Sequence, residues 1–434
     1  MMDFFKKIVE KILRALSINL LKKHDPFIVG VSGSIGKTST KEAIYTVLKK
    51  EFYTRESDKN YNNELGVPLT ILGLGTVGRS FLLWVGVFFK AILKILFEKK
   101  YPKILVLELG VDRPKDMDFL MSFVSPRIGV VTSVGPTHLE FFRSVKDIAD
   151  EKAKLIEALS YNGIAILNFD DEKVRDMRDK TEAKVMTYGL KEGADVRGIL
   201  TESSLSFDAD RWLNMAQRDR FATVFKVGYQ GTVVPVRLKS VGAPHIYAVL
   251  AAIVTGLAMD INLVQITKSL LDYEPPHGRM NLIEGIKKTL IIDDTYNSAP
   301  DSAIAAVSYL DKIQTSGRKI AIMGDMLELG IYTEDGHRKV GRALVKFVDI
   351  LVTVGEKSKF MAEEARGEGL ADVYEFDTNE KVGDFIQKKL NKFDVVLVKA
   401  SQGIRLEKVV KEIMAEPLKA ESMLVRQDEK WERV

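Results

Sequence analysis

The chain has 434 residues, 46% of them hydrophobic and 29% charged, enough for two domains with sizeable cores and too apolar for a disordered protein. Its formal net charge is only +4, which gives no ground for a nucleic-acid partner. It contains no cysteine, so disulfides, thiolate metal sites and cysteine nucleophiles are excluded, as fits a reducing cytoplasmic compartment.

Residues 3–23 place Phe5, Ile8, Val9, Ile12, Leu13 and Leu16 at helical spacing. Lys6, Lys7, Lys11, Arg14, Lys22 and Lys23 outnumber Asp3 and Glu10. Residues 1–26 therefore read as a basic amphipathic helix, suited either to lie on an anionic membrane or to dock on the domain with its basic face in water. No apolar core with a small-residue cleavage site is present, so no cleavable signal peptide is expected.

Residues 27–40 form an apolar strand, a glycine-rich turn and a helix start: Phe-Ile-Val-Gly-Val-Ser-Gly33-Ser34-Ile35-Gly36-Lys37-Thr38-Ser39-Thr. This is a phosphate-binding loop. Its backbone N–H groups and the positive helix end cradle phosphates, Lys37 neutralises the outer ones, and the Thr38 hydroxyl can ligate Mg²⁺. The loop is a variant, with Val31 where the usual pattern has glycine.

Phe81–Phe97 is apolar nearly all round but interrupted by Lys90 and Lys94. Its 17 residues sit at the lower limit for crossing a bilayer, and two central lysines make crossing costly. A buried or partly exposed helix is the better reading. With residues 3–23, this segment suggests peripheral contact with the inner face of a membrane.

From residue 27 to about 170, short branched runs such as Ile104–Leu109, Ile128–Thr132 and Ile164–Asn168 alternate with helical stretches, the pattern of buried parallel strands. Residues 195–241 read as antiparallel strands, and 244–258 as an alanine-rich helix. Pro275-Pro276-His277-Gly278 marks a boundary, after which strands are expected at Thr289–Ile292, Ile320–Met323, Ile350–Val354 and Val395–Val398. The expected fold is α/β: a central phosphate-loop ATPase domain with a mostly parallel sheet over 27–275, then a Rossmann-like domain over 276–415. Residues 416–434 read as a charged, loosely held tail.

Several strand ends carry chemistry. Glu108 ends an apolar strand, where an acid opposite a phosphate loop can hold Mg²⁺. His138, in Gly135-Pro-Thr-His-Leu-Glu140, follows another strand and can ligate a metal or polarise a substrate. The run Asp150-Glu-Lys152-Ala-Lys154 reads by itself as a solvated helix face. Ile291-Ile-Asp293-Asp294-Thr-Tyr296-Asn297-Ser-Ala-Pro300 offers acids for ribose hydroxyls and Tyr or Asn for a base, or else a capped turn.

The order of these elements resembles the Mur ligase family, ATP-dependent amide-forming enzymes of peptidoglycan synthesis. The resemblance runs from about residue 27 to 412. Its marks are Gly33-Ser-Ile-Gly-Lys-Thr38, Asn60-Tyr-Asn-Asn63-Glu-Leu-Gly66-Val-Pro, Glu108-Leu-Gly, Gly135-Pro-Thr-His138, Lys152, Gly278-Arg279, Asp293-Asp-Thr-Tyr-Asn297-Ser-Ala-Pro300, Gly324-Asp-Met-Leu-Glu-Leu-Gly330 and Lys399-Ala-Ser-Gln-Gly-Ile-Arg405. It points to the branch that adds D-alanyl-D-alanine to a UDP-N-acetylmuramoyl tripeptide.

The resemblance implies roles. Gly33 to Ser39, with Lys37 foremost, would hold the ATP phosphates, with Asn63 nearby. Thr38, Glu108 and His138 would ligate two Mg²⁺ ions. Lys152 falls where the family has a carbamylated lysine, and with Lys37 and His138 would be catalytic. Arg279, Asp294 and Asn297 would contact ATP. Asp325, Lys399, Ser401 and Arg405 would line the dipeptide site. UDP-muramoyl peptide and D-Ala-D-Ala would be the substrates of a monomeric enzyme. Two departures stand out: Pro244-His245-Ile-Tyr-Ala248 lacks the family's adenine-side asparagines, and residues 1–26 are too few for the usual UDP-binding domain. A related ligase with another, lipid-linked acceptor and a nucleotide-binding membrane scaffold are the competing readings.

Overall fold

The computed structural model describes residues 2–427 and 431, apart from 59–60, 79–80, 137–140, 202–206, 217–219 and 221, with backbone only at 2–5 and 81. It divides into two compact units: residues 1–199, 226–235 and 244–273, and residues 200–225, 236–243 and 274–434. The last stretch of the second unit begins at Glu274, and 200–225 and 236–243, inside the span 27–275 expected for the first domain, go with it. The reason lies in packing. Phe207–Asp208 pairs in parallel with Ile313–Gln314, and the helix Ala209–Asn214 puts Trp212 and Leu213 into the same core as Leu290 and Ile292.

In the first unit, β1 (Phe27–Ser32), β2 (Thr54–Glu56), β3 (Ile104–Glu108), β4 (Ile128–Val131), β5 (Ile164–Asn168) and β6 (Lys184–Gly189) form a parallel array in the order β6-β5-β4-β1-β3-β2. β1 and β3 to β5 are buried almost throughout, as continuous Val, Ile and Leu runs require. The expected antiparallel region is mixed. Val196–Ile199 joins β6 in parallel, and antiparallel pairing begins only against Thr223–Tyr229.

Helices α1 (Met2–His24), α2 (Lys37–Leu48), α3 (Gly66–Leu72), α4 (Phe81–Phe97), α5 (Asp116–Met121) and α6 (Val145–Glu157) belong to the same unit. Of the two readings of α1, the structure takes docking. Val9, Leu13 and Leu20 are buried against α3 and α4. Lys23 Nζ donates to the carbonyls of Ile95 at 2.6 Å and Glu98 at 3.2 Å, satisfying groups that the end of α4 leaves open. Leu13→Ala is expected to lower the stability of this unit by about 2–5 kcal/mol. The check is the urea midpoint of its unfolding, and an unchanged midpoint would mean that α1 is not held.

α4 is partly exposed, as its composition suggests. Trp84, Val87 and Ala91 face inward, while Leu82, Phe89, Leu96 and Phe97 face solvent. Among the described residues no helix is long and apolar enough to cross a membrane.

The second unit is a six-stranded sheet in the order Asn281–Gly285, Thr289–Asp294, Val395–Lys399, Lys319–Gly324, Ile350–Val354 and Asp372–Phe376. Only the first of these runs antiparallel. The described part of the C-terminal segment is held rather than loose. Ala420 and Leu424 enter the apolar core, and the Arg426 guanidinium reaches buried Glu407 at 2.9 Å. The charged residues of this stretch alternate with the apolar ones that anchor it, which its overall composition hides.

Candidate active site

In the first unit β1 lies between β3 and β4, so the chain turns to opposite sides of the sheet at β1. Ligands bind at the carboxyl ends of strands at such a point. The turns after β1, β3 and β4 meet there.

The turn after β1 holds its shape through two glycines. Gly33 has φ +145° and Gly36 φ +88°, and a Cβ on Gly33 would fall 1.9 Å from Thr132 Oγ1. The end of β4 braces the loop. Ser34 N donates to Ser133 O at 2.8 Å, and Thr132 Oγ1 donates to Ile35 O at 2.6 Å. α2 opens directly at Lys37 and Thr38, so its first-turn N–H groups and dipole point out of the loop. Lys37 Nζ folds over the turn and donates to Gly33 O at 2.8 Å, which places its charge above the loop. Ser39 is buried on the inner side of α2.

Glu108 sits at the end of β3, in register with Val31 of β1. It is only 3% exposed. Oε1 accepts from Asn62 Nδ2 at 3.0 Å, whereas Oε2 has no hydrogen-bond partner among the described residues. A buried carboxylate oxygen without a donor is costly, and a hard cation satisfies it. Among the described residues no three His, Asp or Glu side chains form a metal-holding group. An ion at Glu108 would therefore complete its shell with Thr38 and with oxygens of a bound phosphate, the mode Mg²⁺ favours. His138 lies outside the described residues. Asn63 Oδ1 accepts from Gly66 N at 3.0 Å at the start of α3, while its neighbour Asn62 reaches Glu108.

Lys152 is placed by α6, which Ser144 caps by accepting from Asp147 N at 3.1 Å. The solvated reading of this run fails at two positions. Lys152 is 1% exposed, and Glu151 is buried with Oε1 accepting from Met117 N at 2.9 Å. Asp150 pairs outward with Lys180, and Lys154 with Asp118. Burial, and then the nearby Lys37 cation, push the Lys152 amine down to about 7, against the opposing pull of Asp112 and Glu151. The two lysines thus sense one another's charge.

The second unit gathers its candidates at the carboxyl ends of its parallel strands. The register pairs Asp294 with Lys399, and Lys399 Nζ donates to Asp294 Oδ2 at 2.6 Å and Asn297 O at 2.9 Å. Asp325 Oδ1 accepts from Ser358 N at 2.7 Å. Ser401 Oγ accepts from Leu327 N at 2.9 Å, and its N–H donates to Asp325 O at 3.0 Å. Arg279 lies over the Tyr296 ring at 4.1 Å. Arg405 pairs with Glu407 and stacks under Trp431 at 5.0 Å, so it is bound up with the C-terminal segment. His245 is buried in the first unit, with Nδ1 3.0 Å from the Tyr273 hydroxyl.

Thr132 and Ser133, which brace the loop, and Asn62, which holds Glu108, carry no signal of their own in the sequence. Asn62 alone could have been suspected, from its place in the Asn60-Tyr-Asn-Asn63 run.

Two models of one family match the chain: the Mur ligase middle domain over residues 90–256 and the Mur ligase, glutamate ligase domain over residues 278–402. The UDP-N-acetylmuramoyl-tripeptide–D-alanyl-D-alanine ligase of Bacillus subtilis is 27% identical over 410 residues, 94% of this chain and 80% of that protein. The enzyme of that name from Mycobacterium leprae is 29% identical over 403 residues, 87% of this chain and 72% of its own. The crystal structure of a MurF ligase from Thermotoga maritima in complex with ADP superposes with TM-score 0.74 at 24% identity, covering 95% of this chain and 84% of that one.

Proposed function

The chain belongs to the Mur ligase family, and from that premise we propose that it joins D-alanyl-D-alanine to a UDP-N-acetylmuramoyl tripeptide, using ATP, in the synthesis of peptidoglycan precursors in the cytoplasm. The observation that carries this reading is the Oε2 of buried Glu108 beside the phosphate loop, which has no hydrogen-bond partner among the described residues. It is a position where a divalent cation bound to a nucleotide relieves a standing cost.

A carboxylate is a poor electrophile because its leaving group is an oxide. In the proposed reaction the terminal carboxylate of the peptide attacks the γ-phosphorus of ATP, giving an acyl phosphate and ADP. The amine of the dipeptide then attacks that carbonyl, and phosphate departs with the proton balance closed by loss of an amine proton. Thr38 and Glu108 would hold one Mg²⁺ ion and His138 would help hold a second, and these ions would supply charge neutralisation for the phosphates. Lys37 and the N–H groups of Gly36 to Ser39 are proposed to hold the β- and γ-phosphates and stabilise charge as it shifts, the Ser34 and Ile35 N–H groups being bonded to Ser133. Arg279, Asp294 and Asn297 are proposed to contact the nucleotide, and Asp325, Lys399, Ser401 and Arg405 to line the dipeptide site.

Lys152 fits a carbamate. With an ordinary pKa of 10.5 only about one amine in 3000 is neutral at pH 7, whereas with a pKa of about 7 roughly half are, and the neutral amine is the form that captures CO₂. Carbamylation also turns a like-charge pair, Lys152 with Lys37, into an attractive one.

Phosphate release from ATP tests the assignment. Release is expected only when UDP-muramoyl tripeptide and D-Ala-D-Ala are both present. Release with a different carboxylate and amine would replace the substrates but keep the ligase. No release with any acceptor pair would overturn the reading.

A further inference from the structure

We propose that the outward face of α4 docks the protein on an anionic phospholipid surface, an inference that does not rest on the identity of the ligase substrates. A surface helix ordinarily turns its polar side to water. α4 buries Trp84, Val87 and Ala91 yet leaves a second apolar side to water. Leu82 is 79% exposed, Phe89 61%, Leu96 62% and Phe97 71%, with Leu83 and Ile92 between them. A contiguous apolar face of this kind marks an interaction site.

The charges around it select the occupant. No acidic residue lies between 81 and 97, and Lys90 stands exposed in the middle of the apolar face. Beyond its C-terminal end Lys99, Lys100 and Lys103 are exposed, and Glu98, the one acid in the sequence from 98 to 103, faces Lys94 at 3.9 Å. Exposed Lys22 of α1 stands at the same end, next to Lys23, whose Nζ is taken up in tying the two helices together. Apolar residues can sink among acyl chains while lysines extend their stems to lipid phosphates, which is how an interfacial helix binds. A second copy fits less well. The helix midpoint lies at Phe89 and Lys90, so two antiparallel copies packed about a twofold axis would bury Lys90 against its own mate. Only α4 is assigned to the bilayer. The apolar side of α1 is used against α3 and α4.

Flotation of the whole protein with vesicles of equal parts phosphatidylglycerol and phosphatidylcholine, beside vesicles of phosphatidylcholine alone, tests this. Binding is expected to the anionic vesicles, weaker at high salt, and at least tenfold weaker to the neutral ones. The double variant Phe89→Glu/Leu96→Glu should lose binding at least tenfold with unchanged circular dichroism, since both side chains are exposed. Phe89→Ser/Leu96→Ser is the milder pair should the first misfold. Lys99→Glu/Lys100→Glu should lose the preference for anionic lipid. Absence of flotation, or flotation unchanged in both apolar variants, would overturn the proposal. So would a dimer of the wild-type chain that these variants convert to monomer, which would make the face an interface between copies.

Discussion

Replacing Lys37 with alanine is expected to lower ATP-dependent phosphate release by roughly 10²–10³-fold, the usual loss when one preorganised charge partner of a transition state is removed. The fold should survive, because Lys37 is half-buried and its Nζ reaches the Gly33 and Ser34 carbonyls of its own loop. The loss should fall mainly on kcat, since the loop N–H groups still hold ground-state phosphate. Lys37→Arg keeps the charge but not the compact geometry and should recover only part of the rate. Steady-state kinetics with both substrates reads the outcome. A rate within a few-fold of wild type for Lys37→Ala would remove the loop from the chemistry.

The second large effect is expected at Lys152. Lys152→Ala should cost at least roughly 10²-fold in turnover if an anionic carbamate stands there. Wild-type activity should rise on moving from CO₂-free buffer to bicarbonate, and a carbamate carbonyl signal from ¹³C-bicarbonate should be present in the wild type and absent in Lys152→Met. Stability supplies an independent readout. The folded pKa of about 7 lies below the unfolded value of 10.5, so between them the unfolded chain binds more protons. In the uncarbamylated protein the cost of burying the ammonium is full below about pH 7 and is relieved as pH rises toward 10.5. Stability of the first unit should therefore climb over that window, and the climb should flatten in Lys152→Met. An equal slope in both proteins would mean that Lys152 is solvated.

The two lysines also show where sequence reasoning has force and where it stops. Gly33-Ser-Ile-Gly-Lys37-Thr38 could be read as a phosphate loop without coordinates because local chemistry dictates it: two positive-φ positions need glycine, and the helix must open at the lysine. Lys152 could not be read that way. Its neighbours Asp150 and Lys154 face outward, and only the packing of α6 on α5 and the sheet buries the residue between them. Resemblance singled it out; its depressed amine is a product of the fold.

Other differences share that cause. The two excursions of residues 200–225 and 236–243 into the second unit depend on which core Trp212 and Leu213 enter, a long-range choice that local pattern does not encode. The resemblance assigned Arg405 to the dipeptide site, and only the fold shows it paired with Glu407, two residues on, and lying over the distant Trp431.

By itself the sequence determined the α/β alternation, the glycine turn, the acid at the end of β3 and the helical character of α1 and α4, because each follows from backbone preference and apolar period over a few residues. Tertiary structure alone decided which face of α4 is left to water, that α1 is docked, that Glu108 keeps one oxygen without a partner among the described residues, and that Lys152 is buried near Lys37. Those properties belong to pairs of residues far apart in the chain, and burial and charge proximity exist only once the sheet has brought them together.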